Sequence, residues 1–175
     1  NQTGTANYAA YGLGALPDRR FTGTGGTVNV TAAAAQAGRM QFSSSGYRLE
    51  GAAVDVQGRL VLSTGTTTTI ANAVTADGLE SASSGALIIE ATGTLQIDMG
   101  ESVAAIAGNI TNNGSLVFNR SDDLTLSNPI SGSGLIRHQG TGILTLDGTG
   151  ATYSGNVEVT NGTLRPFQVE ILGVV

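Results

Sequence analysis

One histidine, His138, stands between Ser133 and Asp147 in a chain of 175 residues. Serine, histidine and aspartate together make a nucleophile, its base and the group that orients the base. Such a triad is defined by geometry, and nearness in sequence does not supply it. No Gly-x-Ser-x-Gly elbow accompanies these residues. The expectation for His138 is a polar side chain on a solvent-facing coil. Paired carboxylates offer a second chemistry: Asp122-Asp123 beside Arg120, Asp98 with Glu101, and Asp77 with Glu80. Binding Ca²⁺ takes roughly six to eight converging oxygens. Two-residue acidic pairs on turns supply too few, so they read as solvated charge. The Gly-Gly-x-Gly-x-Asp nonapeptide of calcium-binding rolls is missing. "GTGG" at Gly23 to Gly26 has no following Lys-Ser/Thr and no helix, which argues against a phosphate loop. The sequence therefore predicts no catalytic residue, no metal ligand and no cofactor.

Composition narrows the class further. Charged residues are 12%, and the eight basic residues are all arginine. The net charge is −5. In the linear sequence the arginines form no cluster, which argues against a nucleic-acid partner, since phosphates need a basic stripe. It also argues against an electrostatic membrane contact. No apolar run approaches the roughly 18 residues of a membrane span. Cysteine is absent, so stability has to come from packing and hydrogen bonding. Asparagine and threonine are plentiful, and six Asn-x-Ser/Thr sequons at Asn1, Asn29, Asn109, Asn113, Asn119 and Asn161 follow from that composition.

The elements that position these residues show in a repeat. Gly-x-apolar-x-apolar recurs at Gly38, Gly58, Gly93, Gly114, Gly142 and Gly162, with gaps of 20, 35, 21, 28 and 20 residues. The longer gaps read as insertions or weaker rungs. "SGALIIEATGTLQI" from Ser84 lines up with "SGLIRHQGTGILTL" from Ser133, matching Gly85 to Gly134 and Gly93 to Gly142. Behind the glycines the apolar residues alternate as in strands: Met40 and Phe42, Leu60 and Leu62, Leu95 and Ile97, Leu116 and Phe118, Leu144 and Leu146. β-Branched residues fill the intervals. Asn113-Gly114 and Asn161-Gly162 suit turns with positive φ. "TAAAAQAG" at Thr31 to Gly38 lacks a charged face and reads as extended or irregular. Tyr47, Phe42, Phe118 and Tyr153 read as interior or turn-packing groups.

Short strands recurring every ~20 residues fit a parallel β-helix. The apolar pairs would then stack at ~4.8 Å into an interior column. The expected organisation is a non-repetitive segment over 1–20, a right-handed parallel β-helix of roughly seven coils over 21–165, about 35 Å long, and a β-prone tail over 166–175. Nothing at either end reads as a cap, so the expectation is a piece of a longer solenoid, or one that pairs with another copy.

The stretch "GSGLIRHQGTGILTLDGTGATYSGNVEVTNGTL", Gly132 to Leu164, resembles the passenger-associated transport repeat of bacterial autotransporters. The matching features are Leu135-Ile136, Gly140 to Leu146, Gly148 to Gly155 around Tyr153, and Val157 to Leu164. Arg137-His138-Gln139-Gly140 stands where the family usually has Thr-Lys-x-Gly, and Ala151 where it prefers Asn. "TGGTVNVTAAAAQAGRMQFSSSGYRLEGAAVDV", Thr24 to Val56, looks like a second arrangement common in the same passengers. The resemblance implies a passenger exported unfolded through a C-terminal β-barrel and displayed at the bacterial surface. It implies a non-enzymatic stalk or adhesin scaffold that assists its own folding and secretion. The partners it implies are the barrel and a host-surface protein or glycan. Self-association and, less favoured, a carbohydrate-active β-helix enzyme are the alternatives.

Overall fold

The computed structural model describes residues 6–8, 18–31, 35–71, 74–76, 87–98, 108–148 and 152–166. Asp77, Glu80 and Glu101, most of the 1–20 segment and nearly all of the tail lie outside them. Every regular element among the described residues is a β-strand. The chain runs through β1 (Ala6–Tyr8), β2 (Arg19–Phe21), β3 (Thr27–Val30) and β4 (Ala35–Ala37). Next come β5 (Met40–Phe42), β6 (Tyr47–Gly51) and β7 (Val54–Val56). These stack in parallel on β2, β3 and β4 respectively. One coil is therefore three short strands on three faces. The chain is a parallel β-solenoid.

The same cycle continues with β8 (Leu60–Leu62), β9 (Thr67–Ile70), β10 (Val74–Ala76), β11 (Leu87–Ile89) and β12 (Thr94–Asp98). It then runs through β13 (Ile110–Asn112), β14 (Ser115–Asn119), β15 (Leu124–Leu126), β16 (Ile130–Gly132), β17 (Leu135–His138) and β18 (Ile143–Leu146). The last three strands are β19 (Thr152–Tyr153), β20 (Asn156–Val159) and β21 (Thr163–Arg165). The first face is an eight-stranded sheet in the order β1-β3-β6-β9-β12-β14-β17-β20, and the second a seven-stranded sheet from β2 to β19. The third face carries two three-stranded sheets, β4-β7-β10 and β15-β18-β21. "TAAAAQAG" contributes β4, in line with its extended reading, although residues 32–34 lie outside the description.

The register corrects the single column expected from sequence. Met40 and Phe42 pair with Leu60 and Leu62 on the second face. Leu95 and Ile97 pair with Leu116 and Phe118 on the first. Leu144 and Leu146 lie on the third, paired with Leu124 and Leu126. All ten side chains are buried. The 28-residue gap is thus a place where the same motif passes to another face, while the 35-residue gap combines such a passage with a longer coil, 27 residues from Leu60 to Leu87 against 20 from Met40 to Leu60. The 20- and 21-residue gaps are single coils. The match of Gly93 to Gly142 fails for the same reason: Thr94 stacks on Ser115, and Ser115 on Leu135, which puts Gly93 in line with Gly114 and Gly134.

Interior columns follow from the register. On the first face Val28, Leu49, Ile70, Ile97, Phe118 and His138 succeed one another. Beside them run Tyr47, Thr68, Leu95, Leu116 and Ile136. Each fully buried Leu, Ile or Phe in such a column contributes about 1.5–3 kcal/mol relative to exposure. Phe21 and Phe42 stack with ring centroids 4.5 Å apart, and Tyr47 meets Phe21 edge-on at 5.5 Å while its hydroxyl donates to the Thr22 carbonyl.

One column position works against stability. Thr68 is fully buried, and its Oγ1 has no hydrogen-bond partner. An unsatisfied buried hydroxyl costs about 1–3 kcal/mol. Thr68→Val keeps the shape and removes that cost. The expected result is a gain of about 1 kcal/mol, a rise in Tm of roughly 2–4 °C for a chain of this size. A lower Tm in thermal denaturation would show that Oγ1 has a partner.

Candidate functional site

A cleft of about 470 Å³ opens where the first face turns toward the third. Its rim is amide and hydroxyl: Asn119, Ser121, Gln139, Thr141 and Asn161. These positions come together because β14, β17 and β20 are stacked in register, so their following turns are stacked too. The turns run close. A β-carbon on Gly140 would strike the Arg120 backbone, and one on Gly142 the Asp122 backbone. Only glycine permits that approach.

Arg120 lies in the wall of this cleft at 3% exposure. Its Nη2 donates to Asp122 Oδ2 at 2.5 Å, while the Asp122 side chain remains half-exposed. That hydrogen bond holds the Asp122 carboxyl below its ordinary value. The neighbouring Asp123 accepts from the Ile143 backbone N–H at 2.9 Å. The acidic pair read as solvated charge is therefore partly structural. Asp122 neutralises a buried guanidinium, and Asp123 ties one coil to the next.

His138 is the clearest correction. It is 2% exposed and continues the interior column after Phe118, so it does not face solvent. A strand puts alternate residues inside, and His138 falls two positions after the buried Ile136. Its Nε2 lies 2.9 Å from the Gly142 carbonyl. A carbonyl only accepts, so Nε2 carries a proton and donates it. Nδ1 has no partner. Neither ring nitrogen is hydrogen-bonded to Ser133 or Asp147, both of which are exposed. The imagined triad does not assemble.

The turn glycines serve three corners. Gly38 and Gly58 precede second-face strands, and the Gly58 N–H donates to the Gly38 carbonyl. Gly93 and Gly114 precede first-face strands and continue through Gly134 and Gly155; a β-carbon on Gly114, Gly134 or Gly155 would meet the carbonyl of the glycine one coil below. Gly142 and Gly162 precede third-face strands. Gly162 has φ +71°, as the Asn-Gly reading expects. Gly114 does not have a positive φ; there glycine is required by the closeness of the next coil. No group of three or more His, Cys, Asp or Glu converges among the described residues.

One contributor, Asn112, escaped the sequence, and Tyr153 is the turn-packing group expected from it. Asn112 is fully buried, donating to the Leu135 carbonyl at 2.9 Å and accepting from the Gly114 N–H at 3.2 Å. Tyr153 places its hydroxyl 2.7 Å from the Gly134 carbonyl, and burial pushes its phenol up. The only signal for Asn112 was a polar residue at an inward strand position. Compared with family models, with curated proteins and with solved structures, the chain matches none.

The Arg120–Asp122 pair sets an acid limb. The carboxyl is lowered from 3.8 in the folded state, so its contribution is present above about pH 4 and is lost as the pH falls through the folded value. Asp122→Asn should flatten that limb. At pH 7 it should cost about 1 kcal/mol, the scale of a pair with one half-exposed partner. Chemical denaturation from pH 7 down to 2.5 checks both; an unchanged acid limb would show the pair to be inert.

Proposed function

We propose that the chain is a non-enzymatic segment of a secreted β-solenoid, a surface stalk whose folding assists export across an outer membrane. The observation that carries this reading is the uninterrupted first face, eight parallel strands in register from Ala6–Tyr8 to Asn156–Val159. In such a stack each coil contacts only its neighbours, so folding propagates one coil at a time. Each added coil buries apolar side chains and satisfies a row of backbone hydrogen bonds. On a chain emerging through a pore, that sequence of steps gives a directional bias. The resemblance of Gly132 to Leu164 to the passenger-associated repeat points the same way, with a C-terminal barrel as translocator and the bacterial surface as destination. Arg120 and His138 serve as internal tethers in this reading.

Self-association is a second reading, favoured by one observation. Val157 and Val159 on β20 are 42% and 43% exposed, the only large hydrophobics so exposed among the described residues. Light scattering over a concentration series checks it, and a strict monomer at the highest concentration counts against it.

The stalk reading is tested by Leu144→Asp with Leu146→Asp in the full-length chain. Both leucines are 1% exposed, and each buried carboxylate costs several kcal/mol. Surface display should fall severalfold, measured by antibody labelling of intact cells. Display at the wild-type level would sink the proposal.

A further inference from the structure

The coil period gathers arginines that the linear sequence keeps apart. Arg39 and Arg59 directly precede the paired residues Met40 and Leu60, so they sit one above the other on adjacent coils. Their backbones are joined through Met40 N–H to the Arg59 carbonyl at 3.0 Å. Arg20 lies on β2, one coil further along the same sheet, in register with Gln41 and so diagonal to the Arg39–Arg59 row. Arg20 and Arg39 are exposed and Arg59 half-exposed. Side-chain roots on adjacent coils are about 4.8 Å apart.

These three cations differ from Arg48, Arg120 and Arg137. Arg48, Arg120 and Arg137 each pair with a carboxylate: Glu50, Asp122 and Glu158. Among the described residues no carboxylate lies within ion-pair distance of Arg20, Arg39 or Arg59. Asp18 shares the Arg39–Arg59 row but forms no such pair, and Asp55 is taken up by the amides of Gln36 and Gln57. Like charges in register repel and destabilise a parallel stack. On a chain with net charge −5, a corner holding three arginines against the single carboxylate of Asp18 is net positive and attracts an anion locally.

The surroundings select the kind of anion. Arg20 Nε donates to Ser43 Oγ at 3.3 Å, and Gln41 Nε2 to Ser63 Oγ at 3.0 Å. Amides and hydroxyls beside the guanidinium forks suit a polyhydroxylated chain bearing oxyanions, which arginine binds bidentately. Phe21, Phe42 and Tyr47 of these coils are buried, leaving no platform on which bases could stack. We infer that the Arg20–Arg39–Arg59 corner is a binding site for an acidic polysaccharide, engaging its sulfate or carboxylate groups. The inference concerns the chain itself and stands apart from the secretion reading.

The test is affinity of the purified full chain for immobilised heparin, polygalacturonate and double-stranded DNA. The wild type should be retained on at least one polysaccharide and released by salt. Heparin against polygalacturonate separates sulfate from carboxylate recognition, and preference for either fits the proposal. Arg39→Gln with Arg59→Gln should weaken binding at least about tenfold, as expected for losing charge-assisted contacts. Arg165→Gln, an exposed arginine on the third face, should bind as the wild type does. Circular dichroism checks the fold of each variant; should the double variant unfold, Arg20→Gln and Arg39→Gln singly read the same loss. No retention on either polysaccharide, unchanged binding by the folded variants, or tighter binding to DNA than to both polysaccharides would overturn the assignment.

Discussion

Parallel pairing in register places each residue directly over its counterpart one coil away, about 4.8 Å distant. The rest of the structure depends on this spacing. Apolar inward residues then form columns, because an apolar side chain is best covered by another at van der Waals distance. Polar outward residues form rows for the same reason. A substitution is felt mainly by the two neighbouring coils, as in repeat proteins generally. The Phe21–Phe42 stack, the Leu124–Leu144 pair and the Arg39–Arg59 row are three results of one constraint.

The same spacing governs the corners. Where a turn is tight, the backbone of the next coil occupies the place a β-carbon would fill. Gly114, Gly134 and Gly155 meet the carbonyl of the preceding glycine in this way, and Gly140 and Gly142 meet Arg120 and Asp122. Glycine there answers closeness between coils more often than an unusual φ. Polar residues in the interior are tolerated where a corner offers a partner. Asn112 bonds across to Leu135, and His138 bonds to Gly142. Thr68, in the middle of a strand, finds no partner for its hydroxyl.

Charge is used sparingly and mostly locally. Arg48–Glu50, Arg120–Asp122 and Arg137–Glu158 are short-range or one-coil pairs, and all but Arg120 are well exposed. Much of the remaining surface of the described residues is amide and hydroxyl. Such a surface leaves a few guanidiniums conspicuous to an anionic ligand, since little else screens them except salt.

Strand content and a glycine-turned solenoid were legible in the sequence, because alternation with period two and a ~20-residue recurrence are local signals. Met40, Phe42, Leu95 and Leu144 were recognisable as interior residues on alternation alone. Their partners were not, because one motif serves three faces and the face is set by how many strands intervene. That is why the 28-residue gap looked like an insertion, whereas the 35-residue gap does contain a longer coil. The inward turn of His138 was hidden by its polarity, which outweighed its position in the alternation. The grouping of Arg20, Arg39 and Arg59, and the joining of Arg120 to a cleft lined from three coils, were decided by the register. The sequence by itself determined which residues could enter a strand and which could turn a corner. Only the tertiary structure decided which met, because residues far apart along the chain become nearest neighbours once coils are stacked.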